Sequence, residues 1–397
     1  MPGFELFGES EKSQVQDVLD TGVLMRYGFD GMRNNQWKAL EFEKALASRM
    51  NTKHAQLVSS GTAALTVALA SAGVGAGDEV IMPTFTFVAS FESILAIGAV
   101  PILVDVDDTL TLNPESVERA ITDKTKVVMP VHMCGSMADL KKLKEICTKY
   151  KLLLIEDACQ AIGGSFEGKP LGSYGDLGCF SFDYVKTITC GEGGAIITNN
   201  DQYISNADHY SDHGHDHLGK DRGAENHPFL GYNFRISELN AAVGCAQIKR
   251  LDEFLAIQKK HYSTLRTALE PISDITFRRV PEGGVENYSF LSFFLPTQEL
   301  AKQAHSSLAE AGVDACFYWF DNNWHYYRKW EHLTNTKSLG KLPQEVINQL
   351  PDYSKSDFSK SDKWIGRTIS CLIKLSWSDN QVNERAAKMK SVLSELV

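Results

Sequence analysis

Residues 152–198 read LLLIEDACQAIGGSFEGKPLGSYGDLGCFSFDYVKTITCGEGGAIIT, and this stretch decides the fold. It holds three short apolar runs, LLLIEDA (152–158), LGCFSF (177–182) and GAIITN (194–199), separated by Gly-rich polar segments. Upstream the same pattern recurs in AQLVSS (55–60), DEVIMP (78–83), VPILVDV (100–106) and KVVMPVH (126–132). Helical stretches lie between them, such as SVERAI (116–121) and SMADLKKLKEICTKY (136–150). Continuous apolar strands alternating with helices predict an α/β domain with a doubly wound, mostly parallel sheet covered on both faces. Ligands of such sheets bind beyond the carboxyl ends of the strands. The residues to weigh are therefore Ser59 to Thr62, Pro83 to Phe87, His132, Asp157 to Gln160 and Ser181 to Lys186.

Beyond Thr198 the pattern changes. Residues 201–225 are polar and His-rich and read as a long surface loop, and residues 236–269 show helical periodicity over one long span. The remainder mixes strand-like SFLSFFLP (289–296), helical QELAKQAHSSLAEAG (298–312) and the aromatic run FYWFDNNWHYY (317–327), and predicts a smaller α+β domain. At about 150 residues per domain, the 397 residues divide into a large domain, 1–250, and a small C-terminal one, 251–397.

Composition narrows the function. The net charge of −10 lacks the basic excess of a nucleic-acid binder. Eight scattered cysteines without a CxxC pair exclude a disulfide scaffold and a structural zinc site. The start of the chain lacks the basic and apolar regions of a signal peptide. The uncharged stretch 56–77 is Gly-broken and reads as a buried helix, not a membrane span. A cytoplasmic protein without a membrane partner is expected.

Three elements carry chemistry. SSGTAAL (59–65) ends a strand, turns at Gly61 and starts a helix. That geometry exposes amide donors to an anion, although an ordinary Ser-capped turn is equally consistent. Asp157 ends an apolar run with Glu156 beside it and Gln160 three residues on. An acid there can be a helix cap or salt-bridge partner, or a carboxylate that holds a proton on a heterocyclic nitrogen, as pyridoxal phosphate requires. Lys186 sits on a turn flanked by Val185, Ile188 and Cys190. A surface lysine is the plain reading of a loop position; a partly desolvated amine would be a competent Schiff-base nucleophile.

In this order and spacing, and together with PTFTFVA (83–89) and GYNFRISELNAA (231–242), the three elements resemble the DegT/DnrJ/EryC1/StrS sugar aminotransferases. Those are fold-type-I enzymes dependent on pyridoxal 5'-phosphate (PLP). The resemblance implies that Lys186 holds the cofactor and moves the proton. It implies that Asp157 pairs with the ring nitrogen, Gln160 lies near the ring hydroxyl and Phe87 stacks on the ring. Gly61, Thr62 and Ser181 would hold the phosphate, and Asn233 would reach the same phosphate across a homodimer interface. It further implies L-glutamate as amino donor and a sugar as acceptor. Among acceptors it points to the C8 aldehyde of an oxidised 3-deoxy-manno-octulosonate (Kdo), for lipopolysaccharide biosynthesis, with a nucleotide-linked 4-keto or 3-keto sugar as the alternative.

The sequence departs from the family at two places. Asp183 stands where many members have histidine, and FYWFDNNWHYYRKW (317–330) lacks a Tyr-x-Pro-x-His pattern, which leaves His325 as the candidate substrate histidine. An acidic sugar needs a cation for its carboxylate, and Arg26, Arg33 and Arg235 are candidates. The His209, His213, His215, His217 cluster with Asp212 and Asp216 can chelate a metal on a strand, but its Gly- and Asp-rich context reads as a loop, and no metal is expected. Trp319 and Trp324 are either sugar-stacking or core residues. Two other classes compete. A non-catalytic regulator on the same fold would have lost Lys186 or Asp157, and a Rossmann oxidoreductase would carry GxGxxG; neither condition is met.

Overall fold

In the computed structural model, which describes residues 2–218 and 223–397, the apolar runs form one seven-stranded sheet. Its strands are β1 (His54–Val58), β2 (Glu79–Pro83), β3 (Val100–Val104), β4 (Thr125–Val128), β5 (Leu153–Asp157), β6 (Leu177–Ser181) and β7 (Gly194–Thr198). Their spatial order is β1-β7-β6-β5-β4-β2-β3. All pairings are parallel except those of β7, which is antiparallel to both neighbours.

Successive strand residues face opposite sides, and both sides are covered. Val80, Met82, Val127 and Ile155 share a core with the helices α3 (Gly61–Ser71) and α4 (Val88–Ala96), which follow α1 (Glu9–Thr21) and α2 (Lys38–Met50) in the chain. On the other face Ile81, Val128 and Leu154 pack near residues 114–120 and 140–150, and Leu57, Ala195 and Ile197 pack near 38–50 and 238–249. Double winding is thus present as the apolar runs predict. Of the uncharged stretch 56–77, residues 61–71 form α3, almost wholly buried at the centre, whereas 56–58 belong to β1. Among the described residues no helix is long and apolar enough to cross a membrane.

One expectation fails and one is refined. Residues 201–211 are not a loop: they form a helix (Asp201–Ser211) whose N-cap Asn200 accepts from the amides of Gln202 and Tyr203. Residues 219–222 of the expected loop lie outside the described residues. The long span 236–269 is two helices, Glu238–Lys249 and Leu251–Leu269, with a break at Arg250.

The second sheet is antiparallel, with strands β8 (Thr276–Phe277), β9 (Phe290–Phe294), β10 (Cys316–Tyr318) and β11 (Thr368–Leu372) in the order β8-β9-β11-β10. Between β10 and β11 the chain makes a long excursion back to the large sheet. Tyr327, Trp330, Tyr353 and Phe358 enter the core around α3 and α4. The Tyr353 hydroxyl donates to the Pro101 carbonyl (2.7 Å), and the buried Ser361 bridges Thr84 and the Val106 amide.

Candidate active site

At the carboxyl ends of β5 and β6, under the start of the excursion, lies a cavity of about 460 Å³. Gly61, Thr62, Phe87, Asp157, Gln160, Ser181, Lys186 and His325 all line it. Segments more than 250 residues apart in sequence therefore meet around one space, as the strand-end rule requires.

The two adjacent acids of β5 part company because neighbouring strand residues point oppositely. Glu156 is fully buried and accepts from the amides of Gly172, Tyr174 and Gly175, and it bonds His132 Nε2 at 2.8 Å. It organises the loop before β6. Asp157 faces the cavity, only 4% exposed. Ser90 Oγ donates to its Oδ2 at 2.8 Å and the Cys159 amide to its Oδ1 at 3.2 Å. No cation pairs with Asp157 among the described residues. A carboxylate this buried, held only by neutral donors, is an incomplete charge pair.

The phosphate cradle is built by close approach. Ser60 Oγ caps α3 by accepting from the Ala63 amide (3.0 Å). A Cβ on Gly61 would come within 2.7 Å of Ser181 Cβ, and one on Gly194 within 2.2 Å of the Ser60 carbonyl oxygen. Only glycines let the end of β6, the start of β7 and the first turn of α3 converge here.

Lys186 stands on the turn after β6. Its amide donates to the Asp183 carbonyl (3.0 Å), and Asp183 Oδ1 accepts from the Val185 amide (3.1 Å). The aspartate at the family's histidine position thus ties the turn. Residues at the start of the chain, which sequence reasoning missed, brace it from below: the Gly3 amide donates to the Lys186 carbonyl (2.9 Å), and Phe4 stacks on Tyr184 at 4.1 Å. Ile188 and Cys190 are buried as expected, whereas Val185 is exposed.

The aromatic run forms the roof. The amides of Thr86 and Val88 donate to the carbonyls of His325 and Trp324 (both 2.9 Å), so the roof is bonded to the end of β2 through backbone. Trp324 stacks on Phe87 with centroids 5.5 Å apart and planes 23° apart. Buried Trp319 lies on the inner wall. His325 Nδ1 lies 2.9 Å from Asn322 Oδ1, which can only accept, so Nδ1 carries the proton and Nε2 is an acceptor. Burial, with the charge of Lys186 adding to it, pushes His325 down to about 3.

Four expected residues do not line the cavity. Arg26 pairs with Glu43 (2.5 Å) and Asp208 (3.3 Å), Arg33 faces Glu238 and the carbonyls of Met25 and Gly28, and Arg235 bonds Asp212. Each guanidinium is engaged by an acid or carbonyl away from the cavity, which keeps it from serving there as a carboxylate ligand. Asn233 is exposed on the outer surface and bridges to Asp212 through backbone. Of the histidines of 209–217, His215 pairs with Glu225 (3.0 Å), His217 lies toward Asp208 and Asp212 (both 3.6 Å), and His209 stacks on Phe229 (5.8 Å).

The uncompensated Asp157, the glycine-built cradle and the Lys186 turn together fit pyridoxal phosphate: a carboxylate for a ring N–H⁺, amides and a hydroxyl for a phosphate, and an amine for an aldehyde.

Comparison with known proteins agrees. Residues 7–384 match the model of the DegT/DnrJ/EryC1/StrS aminotransferase family. A GDP-perosamine synthase of Caulobacter vibrioides is 41% identical over 257 residues, covering 63% of this chain and 65% of that protein. A 3-amino-5-hydroxybenzoate synthase of Amycolatopsis mediterranei is 34% identical over 324 residues, covering 79% and 80%. Among solved structures, an aminotransferase from Psychrobacter cryohalolentis superposes with a TM-score of 0.85 at 26% identity, over 98% of both chains. On the evidence of its site, its fold and these relatives, the chain belongs to the DegT/DnrJ/EryC1/StrS family of PLP-dependent sugar aminotransferases.

Proposed function

We propose that this chain, as a homodimer in the cytoplasm, moves an amino group from L-glutamate to the C8 aldehyde of an oxidised Kdo, giving 8-amino-3,8-dideoxy-manno-octulosonate for lipopolysaccharide. Bound PLP supplies an aldehyde that condenses with amines and a ring that accepts the electron pair released when a C–H bond breaks. Asp157 keeps the ring nitrogen protonated and so keeps the ring electron-poor. The Lys186 amine would take the proton from the donor's amine-bearing carbon and return it, across the nitrogen, to the former aldehyde carbon, a 1,3 transfer. Phe87, stacked against Trp324, would hold the ring plane; Gln160, whose Oε1 accepts from the Cys134 amide (2.9 Å), would offer its NH₂ to the ring hydroxyl. Gly61, Thr62 and Ser181 bind the phosphate, and the outward-facing Asn233 serves the partner's. Neutral His325 accepts from a sugar hydroxyl through Nε2.

The observation that carries the acceptor reading is the roofed, aromatic-walled cavity. Its roughly 460 Å³ is at the low end of ligand sites. With the cofactor in it, the space left would be small, which favours a free sugar acid over a nucleotide-linked sugar. A second reading, a nucleotide-linked 4-keto or 3-keto sugar, is favoured by the 41% identity to a protein named GDP-perosamine synthase.

Cofactor-loaded protein treated with L-glutamate and freed of it is offered each acceptor, and the products are weighed by mass spectrometry. Aminated Kdo with return of the yellow colour is expected. Amination of the nucleotide-linked sugar alone would overturn the Kdo assignment and leave the aminotransferase intact.

A further inference from the structure

Two of the eight cysteines stand apart from the rest. Cys316 and Cys371 face each other directly across β10 and β11. The Leu372 amide donates to the Ala315 carbonyl (2.9 Å), so that pair is hydrogen-bonded and the next one, Cys316–Cys371, is not. At non-hydrogen-bonded sites opposing Cα atoms lie about 4.5 Å apart, within the range a disulfide spans. The two sulfurs are already 2.6 Å apart.

The pair is chemically asymmetric. Cys316 is partly exposed on the edge strand, and Cys371 is fully buried. The hydrogen bond from Cys371 holds the Cys316 thiol below its ordinary value, and the nearby Arg385 guanidinium, fixed on Asp314 at 2.7 Å, acts in the same direction. Burial instead pushes Cys134, Cys147 and Cys245 up to about 12. A partly exposed thiol held below its ordinary value beside a fully buried partner is the arrangement of an attacking and a resolving cysteine.

We propose that Cys316 and Cys371 form a reversible cross-strand disulfide in response to peroxide, a modification site in the wall of the active site. The Cys316 thiolate attacks one peroxide oxygen, giving a sulfenic acid and releasing hydroxide. The Cys371 thiol then attacks that sulfur, forming the S–S bond, and the sulfenic oxygen leaves as water. Two thiols and one hydrogen peroxide give one disulfide and two waters; the sulfurs lose two electrons and the peroxide gains them. A small dithiol reverses the step.

The position gives the bond a consequence. Phe317 and Leu372, the next residue on each strand, line the cavity, and the chain enclosed between the cysteines carries Trp319, Trp324 and His325. The disulfide ties the neck of the whole excursion that roofs the site, whereas Asp157, Lys186 and the glycine cradle lie outside the loop it closes.

The test uses the PLP-loaded protein exposed to stoichiometric hydrogen peroxide, then denatured, alkylated and mapped by mass spectrometry. Two thiols lost together as a peptide linking Cys316 to Cys371, restored by dithiothreitol, are expected, with the oxidised protein more resistant to proteolysis between residues 326 and 366. In Cys371→Ser, Cys316 remains a sulfenic acid and takes a dimedone label. Retention of all eight thiols, or first loss at another cysteine such as the cavity-lining Cys159, overturns the proposal, as does a Cys371→Ser protein without dimedone labelling at Cys316.

Discussion

Replacing Asp157 by asparagine isolates its charge from its packing. In the native site each carboxylate oxygen takes one neutral donor, Ser90 Oγ at 2.8 Å and the Cys159 amide at 3.2 Å. The amide of Cys159 can only donate, so the asparagine oxygen must face it. The new NH₂ then faces Ser90 Oγ, which can accept because its own hydrogen can turn to Thr86 Oγ1, 2.6 Å away. Both bonds survive with roles exchanged, and the cofactor-free variant is expected to keep its stability to within about 1 kcal/mol. What disappears is a buried negative charge opposite a ring N–H⁺. A charge-assisted bond of that kind is worth about 1.5–3 kcal/mol, so cofactor retention is expected to weaken by about 10- to 150-fold. The assay titrates dialysed protein with PLP by visible absorbance, with the thermal midpoint of the cofactor-free form as control. An Asn variant that binds within twofold of the parent and melts with it would refute the ring-nitrogen assignment.

Co-expressed Lys186→Ala and Asn233→Ala chains test the shared site: each homodimer is expected to be deficient, while random hybrids restore roughly a quarter of the sites, and absence of recovery would return Asn233 to its own subunit. His325 gives a pH signature. Folded, it titrates near 3 against an ordinary 6.5, so between those values the unfolded chain binds a proton that the folded one lacks, and stability falls as pH falls; His325→Asn is expected to lose less of its thermal midpoint than the parent from pH 6.5 to 4, and parallel curves would contradict the shift.

Much of this site is legible in the linear sequence because its parts are strand ends. An apolar run that stops at Asp157, or at Ser59-Ser60-Gly61, marks both the strand and the side of the sheet on which the ligand lies. The arginines are not legible in this way. Arg26 is claimed by Glu43 and Asp208, Arg33 by Glu238 and Arg235 by Asp212, and Asp208 and Glu238 lie far along the chain from the arginines they hold. The helix at 201–211 escapes detection for another reason. Its inward positions, Tyr203, Ala207 and Tyr210, have helical spacing, but an alanine and two tyrosines among polar residues make a faint stripe. Gly3 and Phe4 give no signal at all, since their role depends on a turn formed far along the chain.

The roof is attached to the end of β2 by amide–carbonyl bonds, Thr86 to His325 and Val88 to Trp324, and such bonds are indifferent to side-chain identity. The exposed positions of this segment, Asn323 and Trp324, can therefore be exchanged without loosening that anchorage, whereas buried Trp319, Tyr326 and Tyr327 also hold it by packing, and Asp157, Lys186 and the glycine cradle belong to other segments. Change of acceptor and constancy of cofactor are thus separable within one chain, and a graft of this segment between relatives would carry substrate preference with it.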